Sequence, residues 1–132
     1  MKVIVLALSL TAFLSIQGLA QSKEMRSDLM VRDANYQSCL DEGEDMLACS
    51  RSYYIQVDSI LISAHEHLRN KLKPAEQSRL AKEHQEWLKL RDRQFEKIDK
   101  DNLMEGRNYE MFRYHEKAAV LKKRALTLMS RF

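Results

Sequence analysis

Two cysteines, Cys39 and Cys49, stand ten residues apart in a chain that has no others. That spacing limits the possible folds more than any other feature. On one uninterrupted helix the two would lie about 15 Å apart, at ~1.5 Å per residue, whereas a disulfide needs alpha carbons within about 7 Å. Oxidation therefore requires a bend, and Leu40-Asp41-Glu42-Gly43-Glu44-Asp45 supplies one. A reactive thiolate would want basic neighbours, and this loop carries four carboxylates instead. The pair is expected to be a structural disulfide, and closing so short a loop contributes about 2–3 kcal/mol in the chain-entropy picture.

The N-terminus fits an oxidising destination. Met1-Lys2 begins with positive charge, Val3–Ile16 is almost wholly apolar, and Gln17-Gly18-Leu19-Ala20 ends in small residues suited to signal peptidase. The apolar run is shorter than the roughly 20 residues that a membrane-spanning helix needs. No cysteine follows Ala20 directly, so no lipid anchor is expected there. Residues 1–20 are read as a cleaved signal peptide and residues 21–132 as one domain, periplasmic or secreted. Without Lys2, 21 basic residues face 19 acidic ones, a net charge of +2. So even a balance points away from nucleic acid and from an anionic membrane as partner.

Beyond the signal, Gly43, Pro74 and Gly106 are the only strong breakers, and helix-forming residues dominate. The pattern predicts an all-α bundle of four helices, near residues 23–40, 45–72, 75–100 and 108–129. The first presents Met25, Leu29 and Tyr36, and the second Leu47, Tyr54, Val57, Leu61, Ala64, Leu68 and Leu72. The third presents Leu80, His84, Trp87, Leu88, Phe95 and Ile98. The fourth presents Phe112, His115, Ala119, Leu121, Ala125 and Leu128.

Lys73-Pro74 separates the two long helices, because the residue before proline avoids the helical region and proline suits a first turn. So short a connection predicts an antiparallel hairpin. Positions equidistant from Pro74 should then face each other: Leu61 with Trp87, His65 with His84, and Asp58 with Arg91. The last pair is expected to tie the helices at mid-length.

Cys39-Leu40, Met46 and Cys49, then Tyr54, Asp58, Leu61, Leu68, Leu72 and Leu80, and finally Trp87-Leu88-x-x-Arg91-Asp92 resemble the LprI-like family of small exported bacterial proteins. The resemblance covers Tyr36–Phe95 and rests on an Asp-x-x-Leu helix followed by Trp-Leu-x-x-Arg-Asp behind a cysteine pair. It implies structural roles for Asp58, Leu61, Trp87, Arg91 and Asp92, and a binding protein whose relatives include a lysozyme inhibitor. Several positions depart from the family pattern. Ile62 replaces a frequent Asn, His65 a usual Tyr and His84 a usual Gln. Phe95 stands where a further cysteine often occurs, so packing of Phe95 on the last helix is expected in place of a second disulfide.

Two binding readings follow. In the first, Asp41, Glu42, Glu44 and Asp45 form a rigid acidic tip that, with Tyr53 exposed beside it, contacts a basic partner such as a lysozyme-type muramidase. The plainer alternative is a solvated turn whose carboxylates favour the start of helix two, in an envelope protein that binds some other protein and leaves lysozyme unaffected. No catalytic residues are assigned, because no nucleophile elbow, triad signature or phosphate loop is present. No cofactor and no metal are expected: His65 and His67 point apart on a helix, and His65 with His84 lacks a third ligand. Lys122-Lys123-Arg124 reads as a solvated basic face.

Overall fold

The computed structural model describes residues 3–103 and 105–132, with side chains described from Gly18 onward. Four helices follow in order: α1 (Val3–Glu42), α2 (Met46–Lys71), α3 (Pro74–Asp101) and α4 (Arg107–Met129). The ends of α2, α3 and α4 fall within a residue or so of the expected ones. Helix α1 starts far earlier than expected, because it runs unbroken through the signal-like segment. The side chains of residues 3–17 lie outside the described residues. Among the described residues no helix is long and apolar enough to cross a membrane.

Local chemistry sets the turns. Gly43 and Gly106 adopt φ of 73° and 126°, in the left-handed region that suits glycine. The Asp45 carboxylate accepts the Ala48 amide at 3.0 Å and so caps α2. Lys73 is extended ahead of Pro74, and its amide donates to Glu76 at 3.0 Å, satisfying one orphan donor of α3.

The helices alternate in direction. Helix α1 runs antiparallel to α2: Cys39 meets Cys49 at one end, and Gly18 lies beside Lys71 at the other. Helix α3 also descends along α2, with Tyr54 by Phe95 and His65 by His84. Helix α4 therefore runs parallel to α2, from the Asp45–Arg107 pair to Phe132 packed on His67.

The predicted all-α class and the disulfide at one end are both present. The expected centre is not. Helix α2 packs most closely on α4, while α3 stands off from it. Residue size explains this. Val57 and Ala64 on α2 and Ala118 and Ala125 on α4 are fully buried, and such small side chains let two backbones approach. Histidine, tryptophan and phenylalanine fill the side toward α3 and hold that helix away. Leu29, Leu61, Leu68, Leu80, Leu121 and Leu128 complete the core, each worth about 1.5–3 kcal/mol of burial.

Two further expectations need correction. On α4, Leu121, Ala125 and Leu128 are buried as expected, but Phe112, His115 and Ala119 are exposed, and Ala118 and Arg124 face inward instead. The first half of this helix carries large apolar groups on several faces, so its own periodicity does not fix its phase. The Asp58–Arg91 tie is also absent. Arg91 bonds its neighbour Asp92 at 2.6 Å and lies 5.7 Å from the ring centres of both Trp87 and Phe95. A carboxylate one residue away and two aromatic faces outcompete a partner across a wide gap.

Candidate functional site

The acidic turn joins α1 to α2 above the disulfide, whose alpha carbons are 5.9 Å apart. Its four carboxylates are not equivalent. Asp45 is committed twice, as the cap of α2 and as the partner of Arg107 at 2.7 Å. The Ala48 amide and Arg107 hold it below the usual carboxylate range. Asp41 accepts a hydrogen bond from Gln37, one turn earlier on α1, at 2.8 Å. Glu42 and Glu44 are exposed and make no ion pair among the described residues. Met46 lies beside them, 38% exposed.

Tyr53 cannot join that surface, because it is the inward member of the Tyr53–Tyr54 pair and only 7% exposed. Its ring stacks on Tyr36, 4.3 Å away and nearly parallel. Its hydroxyl donates to Asp33, which also receives Lys122 from α4. Burial, followed by the Asp33 carboxylate, pushes the phenol upward, so it stays a donor. The Tyr36 hydroxyl meets the fully buried Ser50 at 2.9 Å and His115 Nδ1 at 3.1 Å. The tip therefore rests on a polar network joining α1, α2 and α4. Neither Asp33 nor Ser50 was legible in this role from the residues alone, because such pairings depend on which helices become neighbours.

The histidines meet as the Pro74 ruler predicts, with ring centres 4.4 Å apart. They do not hydrogen-bond each other: His65 Nε2 and His84 Nδ1 are buried without partners. Desolvation lowers both pKa values. For His65 the Arg124 charge adds to this, and for His84 His65 and then Arg124 do. Arg124 is 8% exposed, pairs with Glu83 at 2.9 Å and lies 5.5 Å from the Trp87 ring centre. The expected solvated basic face is thus mostly spent internally, with Lys122 on Asp33 and Arg124 in the core. Spacing could have revealed Arg124, since it shares a helical face with Leu121, Ala125 and Leu128. Trp87 packs against the core that contains Leu61, as expected. Phe95 reaches α4 through Lys117, whose ammonium lies 5.3 Å from its ring centre. Among the described residues no group of three potential ligands could hold a metal.

These features define a class: a disulfide-cornered, all-α scaffold that presents a rigid, partly uncommitted acidic turn. The chain belongs to the lysozyme inhibitor LprI family, whose family model matches residues 35–128. The match extends past the motif into α4, the helix that pairs with α2. No curated protein and no solved structure matches the chain.

Proposed function

We propose that this is an exported binding protein, released by cleavage after Ala20, that inhibits a lysozyme-type muramidase through its disulfide-pinned turn. Membership of a family described as lysozyme inhibitors carries the reading. The turn supports it physically. Among the described residues Glu42 and Glu44 have no ion-pair partner and Asp41 bonds within α1, while Met46 offers an apolar contact alongside. A covalently fixed loop loses little freedom on binding. Asp45 serves the fold and not the contact.

The second reading, an interaction protein of the envelope without effect on lysozyme, is favoured by the +2 charge of residues 21–132 and by the neutralisation of Asp45 by Arg107. A turbidity assay of cell-wall lysis with the purified protein separates the two. The first requires inhibition by the parent and its loss, by about tenfold or more, in a variant carrying Asp41→Ser, Glu42→Ser and Glu44→Ser. No inhibition by the parent selects the second reading. Mass spectrometry of the secreted protein should show Gln21 as the first residue and both thiols oxidised.

A further inference from the structure

Where α2, α3 and α4 meet below the tip they leave an open cleft of about 550 Å³, within the roughly 300–1,000 Å³ of small-ligand sites. Its walls are aromatic. Tyr54 stands edge-on to Tyr114 at 5.6 Å and is tilted against Phe95 at 6.3 Å. Its rim is charged and largely preset: Lys117 holds Asp99 at 2.7 Å, and Arg51 holds Glu110 at 2.7 Å. One cation of the lining is uncommitted. Arg113 is half-buried and forms no ion pair among the described residues.

This combination selects a ligand class. Fixed carboxylates with spare lone pairs accept hydroxyl groups, and a bonded ammonium still has protons to donate. Aromatic walls suit the C–H face of a pyranose. A free guanidinium matches a carboxylate, bidentately where geometry allows. A polyphosphate would need more than one uncommitted cation. A metal ion would meet Arg113 and Lys117, and no three-ligand group exists among the described residues. A purely apolar ligand would desolvate the charged rim without replacing its hydrogen bonds. The geometry points to a binding site for an anionic sugar, stacked among Tyr54, Phe95 and Tyr114 with its carboxylate on Arg113. This site is separate from Glu42 and Glu44 and does not rest on the lysozyme reading.

Matched probes test it by NMR titration of the purified protein: N-acetylmuramic acid against N-acetylglucosamine, and glucuronate against glucose. Each pair differs by the group bearing the carboxylate. Both acids should give saturable shifts at Tyr54, Tyr114 and their neighbours, with dissociation constants of about 1 mM or tighter, and the neutral sugars should bind about tenfold more weakly. Arg113→Gln should reduce the acids to the level of the neutral sugars without moving the melting temperature. Arg113→Lys should fall between the two. The triple serine variant of the turn should bind like the parent, which separates failure here from failure of the inhibition reading. Equal binding of acids and neutral sugars, an Arg113→Gln variant that binds like the parent, shifts confined to other surfaces, or no saturation at about 20 mM would each overturn the proposal.

Discussion

The two sides of α2 hold their neighbours by different means. Toward α4 the contact is small and apolar, with Val57, Ala64, Ala118 and Ala125 fully buried. Toward α3 it is wide, filled by His65, His84 and Trp87, with Arg124 reaching in from α4. The centre of the first contact is apolar, and its charged pairs, Asp45–Arg107 and Arg51–Glu110, stay at the exposed end. The second leaves His65 Nε2, His84 Nδ1 and two Arg124 nitrogens buried without partners, which costs free energy and makes the interface sensitive to protonation. Residue volume thus decides which helices touch, and the wider contact inherits the polar groups.

The sharpest challenge to this contrast is a cavity in the tight seam. Leu121→Ala should destabilise by about 2–5 kcal/mol in urea unfolding, by the same amount at pH 7.5 and 5.5. A loss below about 1 kcal/mol would mean that the seam is not the centre of the fold. Next in size, reduction of Cys39–Cys49, or Cys39→Ser with Cys49→Ser, should cost about 2–3 kcal/mol. The loss should appear at both pH values, because the disulfide ties α1 to α2 and does not involve the α3 layer.

The wide contact should respond to acid. His65 and His84 are depressed in the folded state, so above their unfolded value near 6.5 both states are neutral and contribute no pH dependence. As pH falls through that value the unfolded chain takes protons first, and stability declines until the folded pKa values are passed. The urea midpoint should fall between pH 7.5 and 5.5, and His65→Gln with His84→Gln should flatten the decline. His67, also depressed by burial, should leave a smaller residue of it. The least effect is expected at Asp45. Asp45→Ala removes a cap and an exposed ion pair at the rim of the tip, and its melting temperature should drop less than that of the reduced protein.

Much of the fold was legible in the sequence. The stripe on α2 is buried or half-buried as its period indicates, Gly43 and Gly106 fall between helices, and Pro74 opens α3. Counting outward from Pro74 located the His65–His84 contact and also accounts for Tyr54–Phe95. The same count failed for Asp58 and Arg91, because it fixes which backbone positions are level and not which charge a long side chain chooses. Nor could it reveal that α4 displaces α3 as the close neighbour of α2. Sequence adjacency favours the hairpin, and only the alignment of alanines on α2 and α4 argues otherwise. The candidate site was half legible. The corner and its carboxylates follow from spacing and composition, but the burial of Tyr53 depends on Tyr36 and Asp33, which a different helix provides.

The parallel course of α2 and α4 brings two helix origins, at Met46 and Arg107, to the same pole as the acidic turn. The antiparallel α1 and α3 end at that pole too, at Glu42 and Asp101, so the half-charges of the four helix ends cancel in pairs. Arg107 and Arg51 are matched by Asp45 and Glu110, which leaves Asp41, Glu42 and Glu44 as the excess charge of the turn. Its field fades beyond a Debye length, about 8 Å in physiological salt. For the proposed contact through Glu42 and Glu44, association with a cationic enzyme should therefore slow as ionic strength rises.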